Sequence, residues 1–443
     1  MKSVERILRP VKRIHGGIYL PHHKRTAELE TVIMPAPERV FIPLSQHIGA
    51  PCTATVKKGD KVYVGTLVGE ASGFVSAPVH SSVSGTVASV KEYMQNGNPV
   101  MCVEIESDGE MQPDPELKPF EIHNAADIAA AAKACGLVGL GGAGFPTHVK
   151  LTPNDKVNID TLVINAAECE PYLTADYREC MESGEDIVEG VYLLKEMLGL
   201  EKVIIAVENN KPKAIKKLFE IAADSRDVED KVKLMRLPTS YPQGAEKVII
   251  YSATGRVVPP GKLPSDVGCI VMNITSIATL YRFIKTGMPL VSKRITVEGD
   301  AVNEPKNLIV PIGTPVRQVL EFAGGIDEET ASLAAGGPMM GNPITDLDAV
   351  VEKRNNGILV MKQRKEDKVT ACIRCGRCAA ACPMKLTPAA VETAYNNQLT
   401  ERYEALDVNI CMECGSCSYV CPAKRPLTQI MRTVKAELRR NKK

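Results

Sequence analysis

The sequence predicts a multidomain α/β protein in which four units follow one another along the chain. Three observations predict this fold class. They are short β-like pieces separated by glycine turns from about Ile42, alternating helical and apolar stretches from Ala125, and a cysteine-rich segment from Asp367. At roughly 150 residues per domain, the 443 residues allow about three domains, each large enough for its own core.

The first unit, residues 1–115, is predicted to be all-β. Between Ile42 and Val90 short strand-like pieces alternate with turns that contain Gly59, Gly73 and Gly85. The Pro- and acid-rich stretch from Pro113 to Pro119 is typical of a linker, so we expect this unit to end there.

The second unit, residues 116–292, is predicted to be an α/β domain. Helix-like and strand-like stretches alternate along it, and such alternation builds a parallel sheet covered by helices. The predicted helices are Ala125 to Ala134, Gly184 to Leu198, Lys213 to Ala223 and one that follows Gly244. The predicted strands are Thr161 to Asn165, Lys202 to Val207 and Lys231 to Leu237.

The last third divides into a small α+β module, residues 293–350, and a cysteine-bearing tail, residues 351–443. The module contains β pieces, one helix over Val316 to Ala323, and the glycine-rich stretch Ala335 to Pro338. In the tail, helices are predicted around the cysteines, over Pro388 to Asn397 and Pro426 to Leu438.

The composition is that of an ordinary globular protein. With 44% hydrophobic and 24% charged residues, neither a disordered nor a fibrous class is favoured. Lys+Arg 54 against Asp+Glu 53 leaves no basic excess for nucleic acid. The absence of Trp argues against stacking platforms for single strands.

The sequence also predicts the cellular compartment of the protein. No apolar stretch is long enough to cross a membrane, and Met1 to Arg13 has no apolar segment behind it. We therefore expect neither a transmembrane segment nor a secretion signal. Most of the fourteen cysteines stand in ligand spacings, which fits thiolates kept reduced in a cytoplasm.

Two identical four-cysteine runs carry the clearest chemistry. Each reads C-x2-C-x2-C-x3-C-P, the bacterial ferredoxin run for [4Fe–4S] clusters. The predicted metal ligands are Cys372, Cys375, Cys378, Cys382, Cys411, Cys414, Cys417 and Cys421. In two-cluster ferredoxins the fourth cysteine serves the other cluster, so the sets are predicted to be crossed. One set is Cys372, Cys375, Cys378 and Cys421, and the other is Cys411, Cys414, Cys417 and Cys382.

The alternative for these runs is a pair of structural zinc sites, since CxxC pairs also bind zinc. Two repeated four-cysteine runs with trailing prolines fit the cluster interpretation better. The remaining cysteines are scattered and are interpreted as buried inert thiols. They are Cys52, Cys102, Cys135, Cys169, Cys180 and Cys269.

A glycine-rich loop from Gly136 to Lys150 contains a G-x-G-x-x-G pattern at Gly139, Gly141 and Gly144. A helix rather than a strand is predicted before it, so this is not an ordinary dinucleotide turn. Its glycines nevertheless permit close approach of the backbone to a phosphate or a flat ring, and the lysine adds charge. A purely structural glycine turn is the alternative.

A second constellation, Asn165 to Pro171, follows a predicted strand, where α/β sheets place ligand sites. Its acids, Glu168 and Glu170, are suited to ribose hydroxyls or an amide, or they are solvated loop acids. The interpretation of the segment Tyr241 to Lys247 and of Asn273 rests on family comparison.

These motifs together resemble a known family. The loop, the Asn165 to Pro171 run and the turn at Gly244 to Glu246 look like the FMN- and NADH-binding segments of the complex I flavoprotein subunit. The closer resemblance, over nearly the whole chain, is to the C-subunit family of the Rnf complex, a membrane-bound ferredoxin:NAD⁺ oxidoreductase. It is carried also by His15 to Ile18, by Pro43 to Pro51, by Ala77 to His80 and by the two cysteine runs.

The resemblance implies non-covalent FMN in the glycine loop, NAD(H) against it, and electrons that leave through two [4Fe–4S] clusters. Hydride exchange with NADH and one-electron transfer then serve ion translocation by partner subunits. The implied cofactor-binding residues are Gly139, Gly141, Gly142, Gly144, Lys150, Asn165, Glu168, Glu170, Gly244, Glu246 and Asn273. No further catalytic side chain is implied.

The resemblance also names the four units: a lipoyl-like barrel-sandwich hybrid, a Rossmann-like FMN/NADH domain, an SLBB β-grasp module and a two-[4Fe–4S] ferredoxin-type domain. Three positions depart from the complex I pattern, where Leu140, Ala167 and Ala245 replace an arginine, an aspartate and a glutamate. These changes affect the details of NADH placement. The implied partners are the other Rnf subunits, at the cytoplasmic face of the membrane.

Three alternatives stay open. A soluble cobalamin reductase of the propanediol-utilisation type shares the flavin loop and the cluster runs. A non-catalytic electron-wiring subunit would use the clusters alone. The basic tail is a contact for a partner or an anionic membrane surface, or else a solvated helix end. Its cations are Arg432, Lys435, Arg439, Arg440, Lys442 and Lys443.

Overall fold

The computed structural model describes residues 7–152, 157–225, 232–326, 331–363 and 367–440. Its strands in chain order are β1 Ile7–Leu8, β2 Thr31–Ile33, β3 Arg39–Pro43, β4 Thr53–Ala54, β5 Lys61–Val62, β6 Leu67–Glu70, β7 Val79–His80, β8 Gly85–Gln95, β9 Asn98–Ser107, β10 Thr161–Ala166, β11 Lys202–Glu208, β12 Val232–Leu237, β13 Cys269–Asn273, β14 Ser292–Glu298, β15 Lys306–Pro311, β16 Ala331–Ala335, β17 Asn342–Ile344 and β18 Gly357–Lys362.

The α-helices are α1 Ala125–Ala134, α2 Thr147–Leu151, α3 Ala175–Glu182, α4 Gly184–Met197, α5 Pro212–Ser225, α6 Glu246–Thr254, α7 Ile274–Thr286, α8 Val316–Phe322, α9 Arg377–Ala381, α10 Pro388–Asn396, α11 Arg402–Ala405, α12 Ser416–Tyr419 and α13 Leu427–Arg440. Within one or two residues, these bounds match the helices predicted from sequence. Lys231, Lys442 and Lys443 lie outside the described residues.

A five-stranded, fully parallel sheet forms the centre of the α/β unit. Its strand order is β1-β12-β11-β10-β13, and helices pack on both faces over apolar cores. Because both faces are covered, the strands read as nearly continuous apolar runs, as in Leu162 to Ile164. β1 contributes its edge strand from the N-terminal segment.

The barrel-sandwich unit consists of two small antiparallel sheets, β3-β9-β8-β5 and β4-β6-β7. Alternating residues of these strands, such as Val40 and Ile42 or Val103 and Ile105, point into one core. No lysine occurs between Val62 and Val90. The unit therefore offers no attachment site there for a lipoyl or biotinyl group.

The β-grasp unit has a six-stranded sheet of order β17-β16-β18-β14-β15-β2, with α8 packed on its core. Sheet membership here does not follow the predicted boundaries. β2 from the N-terminal segment pairs with β15, and β18, beyond residue 350, pairs with β14 and β16. The sequence did not predict these pairings, because short strands that join a sheet through backbone hydrogen bonds leave no compositional signal.

The cysteine-bearing tail is helical around its own core. Val391, Tyr403, Met431 and Val434 are buried between α10, α11 and α13. Within the described residues, none of the helices has the length and apolarity that a bilayer span requires.

An ion-pair network joins the β-grasp unit to the α/β unit. Arg294 of β14 pairs with Glu179 at 2.8 Å and also with Glu182, both on α3. Glu182 accepts further hydrogen bonds from the backbone N–H of Thr31 at 2.9 Å and from Arg178 at 2.8 Å. Burial by itself would raise the pKa of Glu182, but these donors and the Arg294 charge lower it to about 2.

The depressed pKa of Glu182 gives a pH prediction. A carboxylate with a folded-state pKa below its unfolded value stabilises the fold above the unfolded pKa of about 4.5, and loses this contribution as the pH falls towards about 2. We expect Glu182→Gln to lower the thermal midpoint at pH 7, with the difference from wild type vanishing towards pH 2. Thermal unfolding across this range measures it, with exposed Glu185→Gln as the control. A difference that persists at pH 2 would contradict the assignment.

Candidate functional site

A large cavity opens where the carboxyl ends of β10 and β13 meet. Its volume is about 1220 Å³, more than the roughly 300–1,000 Å³ usual for a small-molecule site. The structure brings together all eleven residues that the sequence singled out for cofactor binding. Gly139, Gly141, Gly142, Gly144, Lys150, Asn165, Glu168, Glu170, Gly244, Glu246 and Asn273 all line this cavity.

The glycine loop lies over the strand ends as a closed turn. Gly139 N–H donates to the carbonyl of Phe145 at 2.9 Å, and Thr147 N–H donates to Leu137 at 3.0 Å. At Gly141 a Cβ would lie 2.8 Å from the side-chain nitrogen of Asn273, whereas one at Gly142 would meet nothing within 4 Å. The loop therefore needs glycine to approach β13, and it leaves open space beside Gly142.

A lysine and a glutamate form an ion pair in the wall of the cavity. The Lys150 ammonium pairs with Glu246 at 2.9 Å and donates to the carbonyl of Val271 at 3.2 Å. Glu246 begins α6, and Lys150 lies on α2, so the pair joins the glycine loop to the turn that follows Gly244. Both groups are partly exposed, which leaves the ammonium accessible to an anion in the cavity.

Two asparagines fix the walls of the cavity. The Asn165 amide donates to the carbonyl of Gly244 at 2.7 Å. The Asn273 oxygen caps α7 by accepting from Thr275 N–H at 2.9 Å, and its amide donates to Asp176 at 2.8 Å. Their side chains are therefore held in place before any ligand binds.

The carboxylates of Glu168 and Glu170 line the cavity but are engaged within the protein. Glu168 caps α3 through the N–H groups of Asp176 at 2.7 Å and Tyr177 at 3.3 Å. Glu170 accepts from the N–H groups of Met339 at 3.0 Å and Met340 at 2.9 Å. Burial raises the pKa of Glu168, and burial raises the pKa of Glu170 to about 6.

The partly buried Lys24 and the buried Lys211 hold the backbone of this acidic loop. Lys24 donates to the carbonyls of Glu168 and Glu170, each at 3.1 Å, and to that of Leu173. Lys211 donates to the carbonyl of Ala167 at 2.5 Å and pairs with Glu208 at 3.1 Å. With its carbonyls turned towards the ammonium groups, the loop keeps Glu168 in a left-handed conformation with φ of 48°.

The two cysteine runs repeat the same local backbone. α9 and α12 each begin after a glycine in the left-handed region, Gly376 at φ 75° and Gly415 at φ 82°. Arg374 and Glu413, two residues earlier in each run, are also left-handed. The repeated spacing of the sequence thus becomes a repeated turn of the chain.

One predicted ligand set lies together in the structure. Cys382 from the first run lines a small cavity with Cys411, Cys414 and Cys417 from the second. Cys372 and Cys375 of the other set are exposed. In the part of the chain that the structure describes, no three His, Cys, Asp or Glu side chains converge on the position of a single metal ion.

Two residues connect the large cavity with the cysteine cavity. Met412 lines both of them. Tyr241, 2% exposed, lines the large cavity and donates its hydroxyl to the carbonyl of Cys414 at 2.7 Å. The two cavities are therefore neighbours, separated by single side chains.

Family models match most of the chain. They are the RnfC barrel sandwich hybrid domain at residues 12–110, the Nuo51 FMN-binding domain at 132–282, the SLBB domain at 294–343, and two 4Fe-4S dicluster domains at 371–424 and 341–387. The predicted multidomain fold class is confirmed. The predicted cofactors, FMN and two [4Fe–4S] clusters, agree with these models.

Curated relatives extend the likeness over nearly the full length. The C subunit of the proton-translocating ferredoxin:NAD(+) oxidoreductase complex of Clostridium ljungdahlii is 40% identical, covering 97% of this chain and 94% of the relative. The Na(+)-translocating counterpart of Acetobacterium woodii is 44% identical, covering 96% of each. This chain belongs to the C-subunit family of the Rnf complex. A third relative, the C subunit of the ion-translocating oxidoreductase complex of Rhodobacter capsulatus, is 40% identical, covering 88% of this chain and 76% of the relative.

Within this member of the Rnf family, the positions that depart from complex I have different surroundings. Leu140 is buried in the main core of the α/β unit, and Ala167 is buried in the core on the opposite face of the sheet. Of the three, Ala245 lines the cavity. Apolar packing thus accounts for the first two positions.

Several lining residues were not predicted as site residues. Asp176 lies on α3 outside any motif, Phe74 comes from the barrel-sandwich unit, and Met340 comes from the β-grasp unit. The prediction that Cys169 is buried was wrong, because this side chain is half-buried and lines the cavity. No local sequence signal marks residues that different units bring together.

Three features of the cavity fit FMN. Gly141 lets the loop approach the strand ends, open space lies beside Gly142, and the Lys150 ammonium is accessible for a phosphate. The volume exceeds what a single mononucleotide needs, which leaves room for a second ligand against the first.

Proposed function

We propose that this chain oxidises NADH, or reduces NAD⁺, as the peripheral subunit of a membrane-bound Rnf ferredoxin:NAD⁺ oxidoreductase. One observation carries the proposal: the cavity lined by all eleven predicted residues shares Met412 with the cavity of four predicted cluster ligands. This proximity supports nucleotide chemistry and one-electron transfer at adjacent sites.

The redox balance of the proposed reaction is simple. NADH releases two electrons and a proton to become NAD⁺; two bound clusters would take up one electron each, and the proton would go to solvent. Bound FMN supplies the exchange between a hydride donor and one-electron acceptors. The chain contributes Lys150 for the phosphate, the glycine loop for the ring, and the remaining predicted residues as walls that exclude water.

The position of the cysteines suggests the order of transfer. The set of Cys382, Cys411, Cys414 and Cys417 lies next to the nucleotide cavity and is proposed as the proximal cluster site. The set of Cys372, Cys375, Cys378 and Cys421, with two exposed members, is proposed as the distal site. Electrons then leave towards partner subunits from the exposed end.

We place the chain at the cytoplasmic face of the membrane, bound to the other subunits of its complex. The basic tail supports this only in part, since Arg432 and Lys435 pair with Glu413 inside the chain at 3.3 and 2.6 Å. Arg439 and Arg440 are exposed and remain available for a partner or an anionic surface.

NADH-driven bleaching tests the proposed function. Purified anaerobically with its clusters rebuilt, the chain is expected to bind about one FMN, and NADH is expected to bleach both flavin and cluster absorbance. Dithionite serves as the control, because it reduces competent clusters without the nucleotide site. Clusters that dithionite bleaches but NADH does not, although FMN is bound, would contradict the NADH-oxidising assignment.

A further inference from the structure

The turn that joins β16 to β17 lies between the two cavities. This segment, Gly336–Gly341, belongs to the β-grasp unit and continues the glycine-rich stretch noted in the sequence. On one side, the N–H groups of Met339 and Met340 donate to the Glu170 carboxylate at 3.0 and 2.9 Å. Met340 also lines the nucleotide cavity. The turn therefore forms part of that cavity's wall.

On its other side the same turn contacts the cysteine run. A Cβ at Gly415 would lie 3.0 Å from the carbonyl oxygen of Met339 and 3.3 Å from its Cε. Met339 packs with Tyr241 and Cys414 in one apolar cluster. The turn thus reaches from the wall of the nucleotide cavity to the loop that carries a proximal cluster ligand.

The glycines of the turn make this close packing possible. At Gly337 a Cβ would lie 2.2 Å from Oε2 of Glu170 and 2.6 Å from its Cβ, so the whole glutamate side chain would have to shift. Gly341 N–H donates to the carbonyl of Gly337 at 2.9 Å, which closes the turn. The site has no space for a side chain at this position.

Tyr241, which belongs to the α/β unit, also lies between the nucleotide cavity and the second cysteine run. Its hydroxyl donates to the Cys414 carbonyl at 2.7 Å and lies 3.4 Å from Oε1 of Glu170. The Glu170 carboxylate accepts from two N–H groups of the turn and lies beside the tyrosine hydroxyl, whose proton goes to the Cys414 carbonyl.

We propose that the Gly336–Gly341 turn, with Glu170 and Tyr241, is a positioning device that fixes the nucleotide cavity against the proximal cluster loop. Its role is to set the rate of electron transfer between the two sites rather than the binding of either group. Because the turn belongs to the β-grasp unit, this unit would have a positioning function in the chain. This inference rests on the proposed NADH-oxidising function, because it presupposes electrons that pass between the two sites.

Gly337→Ala tests the device, with Ser332→Ala on the exposed side of β16 as matched control. In anaerobic stopped-flow with NADH, flavin bleaching is expected at the wild-type rate. Cluster bleaching is expected to be several-fold slower, because the displaced turn and Glu170 alter the gap across which electrons pass. Iron content is expected to be unchanged, and FMN affinity is measured by fluorescence quenching so that loss of flavin is distinguished from slower electron transfer.

Tyr241→Phe provides a second test that keeps the volume of the side chain, with Tyr251→Phe on α6 as control. Loss of the hydrogen bond to the Cys414 carbonyl oxygen changes the polarity beside a proximal ligand, and it is expected to shift the midpoint potential of the proximal cluster in an EPR titration. If Gly337→Ala fails to fold, this variant decides. Wild-type cluster bleaching rates together with an unshifted potential would overturn the proposal. Wild-type protein that NADH does not bleach at all would instead refute the proposed function itself.

Discussion

Replacing Cys414 by alanine is expected to stop NADH-driven reduction of both clusters, whereas replacing Cys375 is expected to leave one cluster reducible. Each substitution removes one four-iron cluster, so the iron content should fall by about half in either variant. The difference arises because Cys414 lies in the cavity that borders the nucleotide site, while Cys375 is exposed at the far end. EPR spectra after addition of NADH measure the remaining cluster.

Cys102→Ala is the control for these two variants, since that thiol is buried in the barrel-sandwich unit away from both cavities. It is expected to keep full iron content and full NADH-driven reduction. Equal loss of NADH-driven reduction in Cys414→Ala and Cys375→Ala would show that the proposed order of the clusters is wrong. Unchanged iron in both variants would refute the ligand assignment.

Gly141→Ala is expected to weaken FMN binding by about 10-fold to 100-fold, because forcing a methyl group into a tightly packed site typically costs about 1–3 kcal/mol. The new Cβ would lie 2.8 Å from the Asn273 amide, which the cap of α7 and the bond to Asp176 hold in place. The loop would therefore have to move into the space that FMN is proposed to occupy. FMN titration of the apoprotein by fluorescence quenching measures the change.

Gly73→Ala is the matched control, since its Cβ would meet only Ala50, at 3.9 Å. It is expected to bind FMN as wild type does. Iron content should be unchanged in both variants, because the cysteine runs belong to another unit. If Gly141→Ala binds FMN with wild-type affinity, the glycine loop does not form the flavin site.

Two of the relatives are named for complexes that translocate different ions. The proton-translocating and Na(+)-translocating relatives are 40% and 44% identical to this chain over nearly its full length. The coupling ion of those complexes therefore does not follow from overall similarity in this component.

Local patterns in the sequence determined much of this protein. The composition of α1 favours the bounds Ala125–Ala134, and Asn124 caps the first turn of this helix. The residues of each cysteine run likewise determine the turn that the run forms. All eleven residues assigned by resemblance to known flavoproteins line one cavity. The helix bounds and the cysteine turns are readable because their physical causes, helix periodicity, caps and ligand spacing, act over a few neighbouring residues, whereas the eleven cavity residues rest on the resemblance to known flavoproteins.

Only the tertiary structure decided how the units share the site. It brought Lys24 from the N-terminal segment behind the Glu168 loop, Phe74 from the barrel-sandwich unit and Met340 from the β-grasp unit into the cavity wall, and Met412 between the two cavities. It also engaged Glu168 and Glu170 with backbone donors inside the protein. Contacts between residues far apart in the chain arise from packing of completed units, and packing leaves no periodic or compositional trace in the segments it joins.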